Sequence, residues 1–340
     1  MAEKIDGAGR VSAPGAPRFG LALVNRGVVM GASDLEEIRQ MATLVDTSPA
    51  WDSLWVGDSI LAKPRIDSLV LLSLLSGITE RVRLGVGCLA STPLRNPLLL
   101  AYQWASLDNV ARGRTIFVAC QGEGAQGGGA FFDEYRAFEI DPRTRMRRLE
   151  EAVEIMRLTS TGEAVSFKGE YASFSNVAIL PAPLQRPLPI WLAANPNANR
   201  PRHVESALRR VARLGDGWMT TMVPVEDFGP YLEAIRSYGR EYGRDLDRSF
   251  AACAYYNIHV DDNEERALRE SKRFLDSHSS TDYGESLLKR WVIYGSPERC
   301  IARLREVIAA GATDIVLRIS SFNQLEQFRR VTSEVLGGFE

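Results

Sequence analysis

Ser296-Pro-Glu-Arg-Cys-Ile-Ala-Arg-Leu-Arg-Glu-Val-Ile-Ala-Ala-Gly-Ala-Thr-Asp-Ile-Val-Leu-Arg-Ile319 is a complete helix–strand unit written in one line. Ser296 before Pro297 reads as an N-cap followed by the first helical position, where proline forfeits no intrahelical bond and its φ is already helical. Ile301, Leu304 and Ile308 then recur at helical spacing, and Gly311 ends the run. Residues 314–319 follow as a strand. They are almost continuously apolar, as strands of a parallel sheet are when helices cover them.

The same rhythm repeats upstream. Apolar runs at residues 19–24, 53–57, 82–90, 115–120, 189–194, 217–222 and 252–260 alternate with amphipathic stretches. Ser33 and Glu36 have capping-box spacing, ahead of Leu35, Ile38, Met41, Ala42 and Val45 on one face. Asp141-Pro142 opens another helix, with Leu149, Val153 and Met156 on one side. About eight strand–helix pairs in this length predict an α/β chain folded as a (β/α)₈ TIM barrel. Residues 1–17 read as a disordered arm and residues 18–340 as a single barrel domain. Two stretches break the rhythm: residues 162–188, containing a small β-hairpin, and residues 261–296, carrying extra helix and loop.

A doubly wound sheet is the rival. Gly122-Glu-Gly-Ala-Gln-Gly127 matches G-x-G-x-x-G, but no apolar-faced helix opens behind it. A dinucleotide site needs the N-terminus of that helix for the pyrophosphate. A glycine-rich loop on the active face fits better.

Composition narrows the function. A net charge of −2 gives no electrostatic case for nucleic acid or an anionic membrane. The longest apolar run, residues 69–75, is too short to span a bilayer, and the reading is a cytoplasmic protein. Cys88, Cys120, Cys253 and Cys300 form no C-x-x-C pair, and His203, His259 and His278 are scattered, so no metal site is expected. Hydrolase, zincin and P-loop motifs are missing. A barrel aldolase would need a Schiff-base lysine, whereas Lys63, Lys168 and Lys272 fall outside the strand ends. This shortage of acid–base groups suits an enzyme whose cofactor does the chemistry.

An ordered set of segments carries a specific resemblance. These are Trp51-Asp-Ser-Leu-Trp-Val-Gly-Asp58, Arg81-Val-Arg-Leu-Gly-Val-Gly-Cys88, Leu94-Arg-Asn-Pro97, the run from Ala105 to Gly122, Pro181-Ala-Pro-Leu-Gln-Arg-Pro-Leu-Pro-Ile-Trp191, Leu214-Gly-Asp-Gly-Trp218 and Gly295-Ser-Pro-Glu-Arg299. Together, over roughly residues 18 to 335, they resemble the bacterial luciferase-like monooxygenase superfamily of flavin- or deazaflavin-dependent oxidoreductases. The resemblance implies a flavin ring at the carboxyl ends of the barrel strands, and usually a homodimer.

Site residues follow from that resemblance. Asp58 stands where the family has an acidic residue near the reactive edge of the ring, and is the expected catalytic carboxylate. Ser59 replaces the histidine of many relatives, and serine cannot take up a proton near neutral pH; His203 is the candidate substitute. Gly87, Cys88 and Leu89 match a bulge, often with a non-proline cis peptide, that presses on the back of the flavin. Cys120 matches a reactive thiol near the ring. Gln121 and Gly122 continue the cofactor site, but Gln121 stands where relatives have an arginine for the phosphate, and a glutamine lacks the charge and fork of a guanidinium. Asn195 and Asn197 lie in the loop expected to grip the cofactor phosphate, and Trp218 is expected at the barrel mouth. Trp55, Trp191, Tyr255 and Tyr256 suggest an apolar pocket.

The functional expectation is a two-component monooxygenase. Reduced FMN from a separate flavin reductase would react with O2 and oxygenate a small apolar organic substrate. The alternatives are a deazaflavin (coenzyme F420)-dependent reductase or dehydrogenase, favoured by Gln121, and a non-catalytic flavin-binding relative.

Overall fold

The computed structural model describes residues 16–122, 130–246 and 249–339. Residues 1–15 of the expected arm, and all but Gly122 of the glycine-rich motif, lie outside them. Eight parallel strands form the barrel: β1 (Arg18–Leu23), β2 (Ser53–Val56), β3 (Arg83–Val86), β4 (Thr115–Ala119), β7 (Ile190–Ala193), β8 (Gly217–Thr220), β9 (Ala251–Val260) and β11 (Asp314–Ile319). They pair in chain order, β8 pairs with β9, and β11 pairs with both β9 and β1, so the ring closes. Each matches a run read from the sequence to within a few residues.

The first break in the rhythm is the expected hairpin, β5 (Val165–Lys168) against β6 (Ser173–Val177). The second holds helices Glu264–Ser279 and Glu285–Trp291 and one strand not foreseen, β10 (Val292–Gly295). That strand pairs in parallel with the far half of β9, from Asn257 to Val260, outside the ring of eight. Ten-residue β9 outruns its neighbours, and the extra length carries the ninth strand.

Two helix starts differ in detail. Asp34, not Ser33, caps the helix Leu35–Thr47 by accepting from the Glu37 N–H at 2.7 Å. The Ser33 hydroxyl donates instead to the Val24 carbonyl. Asp141 caps a short 3₁₀ turn, Pro142–Thr144, which leads into the helix Arg145–Thr159. Ser296 caps Pro297–Ala309 as expected.

Alternate residues along each strand face opposite ways, which splits the apolar side chains into two layers. Leu54, Leu84, Phe117, Leu192, Trp218 and Leu317 point outward against the helices. Ala22, Trp55, Ile116, Val118, Trp191, Met219, Cys253 and Val316 fill the interior. Trp55 and Trp191 meet there with ring centroids 5.6 Å apart. Their bulk requires Gly20 and Gly85: a Cβ on either would come within 2.4 or 2.2 Å of the Trp55 ring. Beneath them Asp314 accepts from Arg18 (2.9 and 2.6 Å) and Arg83 (2.8 Å), sealing the amino-terminal end. The barrel is a packed solid, open at one end.

Candidate active site

Above the tryptophan layer, at the carboxyl ends of the strands, lies a cavity of about 640 Å³. Small residues from the strand ends and following loops line it: Gly57, Gly87, Ala90, Gly122, Ala193 and Ala194. Gly122 adopts φ +72°, and a Cβ there would stand 3.2 Å from the Ala90 carbonyl, so glycine is what fits.

The peptide between Gly87 and Cys88 is cis, at the end of β3 where the bulge was expected. Asp58 ties this segment to β2. Its buried carboxylate accepts from the Ser68 hydroxyl and the Ser91 amide, both at 2.8 Å, with Arg95 at 3.7 Å. Asp58 borders the cavity, yet both its oxygens are engaged in holding the rim. Ser59 is turned inward and accepts from the Lys63 N–H. The neighbouring Ile60, Leu61 and Ala62 amides all donate to Glu134.

Cys88, Cys120, Gln121 and Gly122 border the cavity, and the Tyr135 hydroxyl pins the Gln121 carbonyl at 3.0 Å. Asn195 borders it too; its side-chain oxygen accepts from Thr220 and Thr221. Three expected residues sit elsewhere. Leu89 is fully buried in the outer layer. Asn197 closes a local turn by accepting from the Asn199 N–H. Trp218 faces the helices, stacked on Phe228 at 4.9 Å and donating to the Ala194 carbonyl. Strand parity explains the last: Met219, the next residue, takes the inward position. Of the aromatic residues expected near the mouth, Tyr255 lines the cavity, while Trp55, Trp191 and Tyr256 are core.

The cavity is cationic at two opposite sides. Arg145 and Arg210, the latter paired with Glu150 at 2.9 Å, lie on the helices that follow β4 and β7, with His203 beside them, on the side that also carries Gln121 and Asn195. Among the described residues the Arg145 Nε is buried without a partner, and the helix Pro201–Leu214 begins there. Across the ring, Lys63 and Arg65 come from the loop after β2, and Arg318 from β11. Burial pushes Arg65 down to about 10, so it stays charged at neutral pH. His278 stands among these cations. Burial first, then the charges of Arg318, Arg65, Lys63 and Arg26, hold its imidazole well below the ordinary histidine range.

Sequence reasoning missed Arg65, Arg145, Arg210, His278, Tyr283, Trp291 and Arg318. One signal was available: Arg318 is a lone charge inside Asp-Ile-Val-Leu-Arg-Ile, on the inward parity of Val316 near the strand's end. A barrel strand places function there. His278, Tyr283 and Trp291 lie in the second insertion; His278 does fall on the buried face of the helix Glu264–Ser279, with Ala267, Ser271, Phe274 and Leu275 at helical spacing, a period the sequence reading did not use.

The side with Arg145 fits a flavin-type cofactor on the structure's own terms. An unpartnered buried guanidinium nitrogen, a second arginine whose Nε is held by Glu150 at 2.9 Å, and a helix N-terminus are donors of the kind that suit a phosphate. The small residues lining the cavity leave room for a flat ring.

Comparison with known proteins agrees with this geometry. The chain is 26% identical over 317 residues to an F420-dependent glucose-6-phosphate dehydrogenase of Kineococcus radiotolerans, covering 84% of this chain and 88% of that one. Its fold matches an F420-dependent secondary alcohol dehydrogenase with a TM-score of 0.77 at 15% identity, over 94% of this chain and 98% of the other. Monooxygenase RslO1 from Streptomyces bottropensis matches with a TM-score of 0.74 at 21% identity, over 95% and 100%. No helix among the described residues is long and apolar enough to cross a membrane. The model of the luciferase-like monooxygenases spans residues 18–290, most of a barrel whose rim carries the features above, and the chain is an oxidoreductase belonging to that family.

Proposed function

We propose that the cavity binds the deazaflavin F420 and that the protein catalyses hydride transfer between that cofactor and a small organic substrate. The observation that carries this reading is Gln121, which faces the cavity where an FMN-binding relative is expected to place an arginine. The relatives named as F420-dependent dehydrogenases support it. When bound, F420 supplies a two-electron hydride acceptor or donor. Arg145, Arg210, Asn195 and the start of the helix Pro201–Leu214 hold its phosphate. Gly87 and Cys88 back the ring, and Asp58 fixes that segment through Ser91. The tryptophan layer excludes water from below.

Cys120 favours a second reading, a two-component monooxygenase using reduced FMN from a separate reductase, because its thiol borders the cavity as the resemblance implies. Anaerobic titration with reduced F420 and with reduced FMN separates the two. Binding of F420 with hydride transfer and no oxygen uptake is the expected result. Binding of FMN alone, with oxygen consumed on aeration, replaces it with the monooxygenase. Binding without either reaction, across a broad substrate panel, identifies a non-catalytic relative.

The partner expected in solution is a second copy. Leu99, Tyr102 and Val110 on the helix Pro97–Val110, and Val70 on the adjoining helix Ser68–Ile78, are each at least half exposed. Such a patch is a candidate homodimer face.

A further inference from the structure

We propose that the substrate carries an oxyanion, a carboxylate or a phosphate, on an apolar body, and that Arg65 and Arg318 hold that oxyanion at the side of the cavity opposite the cofactor phosphate. This rests on the cofactor reading above, which assigns the other cationic side, with Arg145 and Arg210, to the cofactor.

Arg318 is fixed in place by uncharged partners. Its Nε donates to the Asn257 side-chain oxygen at 2.8 Å, its Nη1 reaches His278 Nδ1 at 3.5 Å, and its guanidinium carbon lies 5.7 and 5.6 Å from the ring centroids of Tyr255 and Trp291. Arg65 is anchored through its Nε to the Lys63 carbonyl at 3.0 Å. Its Nη1 packs so closely over Gly57 that a Cβ there would lie 2.2 Å away. Both guanidinium groups face the cavity, and among the described residues neither forms an ion pair. Arg18, Arg83 and Arg157, by contrast, are each matched by a carboxylate. Asp58 is the carboxylate that Arg65 feels most strongly, but its oxygens are taken by Ser68 and Ser91, and the two held guanidinium groups remain a preorganised receptor for an anion.

The neighbouring wall sets the rest of the ligand. Met222, Tyr255, Leu287 and Trp291 present apolar surface. The Trp291 N–H, which could have read a hydroxyl, is already given to Thr221 at 2.8 Å. The exposed Asp282 is turned to Lys272. Ser279, Thr281 and the Tyr255 hydroxyl also line the cavity, but the broad apolar faces of Met222, Leu287 and Trp291 favour an aryl or alkyl acid over the relatives' glucose 6-phosphate.

The test uses the full-length protein loaded with reduced F420, or with reduced FMN if only that binds. Inorganic phosphate, phenylacetate, phenyl phosphate, benzyl alcohol and glucose 6-phosphate are titrated calorimetrically. Saturable binding of phenylacetate or phenyl phosphate, at least tenfold tighter than benzyl alcohol or glucose 6-phosphate, is the expected result. Inorganic phosphate competing with either acid supports the same anion site. The Arg65→Gln and Arg318→Gln variants should each weaken the acids roughly tenfold or more while leaving cofactor affinity unchanged. The proposal falls if the wild type binds no acid, if benzyl alcohol or glucose 6-phosphate binds as tightly, or if the acids displace the cofactor. It falls also if a folded variant loses cofactor and acid together, which would give this side to the cofactor. If neither cofactor binds the wild type, the cofactor reading fails by itself, and acid titrations of wild type and variants still decide the anion site.

Discussion

Nη1 of Arg318 stands 3.5 Å from Nδ1 of His278, so a guanidinium meets an imidazole where a carboxylate would ordinarily be found. Arginine has only donors to offer, so the neutral imidazole accepts at Nδ1 and carries its proton on Nε2. With Arg65, Lys63 and Arg26 also nearby, a second positive charge on the ring is strongly disfavoured.

That arrangement makes stability depend on pH in a definite direction. The unfolded chain protonates His278 near the ordinary value, about 6.5, while the fold refuses the proton. Stability from this residue is therefore complete above that value and declines as pH falls below it, by up to about 1.4 kcal/mol per unit. Urea melts at pH 7, 6 and 5 should show a shallower loss for His278→Gln than for the wild type. Parallel slopes for the two proteins would contradict the assignment.

Asp314 should dominate the stability of the closed end. Burial raises its carboxyl, but the Arg18 hydrogen bond and the charges of Arg83 and Arg18 outweigh that and hold it below the ordinary range. The contribution is present above the unfolded value and is lost as pH falls through the folded one. Asp314→Asn leaves two arginines facing an amide. The expected cost is about 3 kcal/mol, the lower end for a buried pair because both arginines are about a third exposed and water screens them. Thermal melts at pH 7 check it, and an unchanged Tm would show the seal to be dispensable.

Trp218→Phe should reduce Tm while leaving cofactor affinity within about twofold, because the indole packs on Phe228 outside the cavity. Fluorescence titration measures the second quantity. Cofactor binding weakened tenfold would return Trp218 to the site.

Leu99→Asp combined with Val110→Asp should convert a dimer into a monomer, since both side chains are more than half exposed on one helix. Light scattering coupled to gel filtration reads the mass. A wild type that elutes as a monomer removes the dimer from consideration.

The strands could be read from the sequence because burial on both faces makes them uniformly apolar, and that uniformity identifies a wrapped parallel sheet. The same uniformity erases the record of which side faces in. Trp218 and Met219, or Tyr255 and Tyr256, exchange roles with a one-residue change of parity that an all-apolar run does not mark. The strand-end glycines and Cys120 were visible through the resemblance. The cationic wall was not, because its members come from β11, the loop after β2 and an insertion, and meet only in three dimensions.

The insertion bearing His278, Tyr283 and Trp291 is tied to the barrel at its carboxyl end. Main-chain pairing of Val292–Gly295 with β9 rivets it to the barrel wall directly after Trp291. Swinging Trp291 aside would mean peeling a strand from its neighbour. A ligand that reaches the wall beside Trp291 must therefore fit around a side chain the strand holds in place.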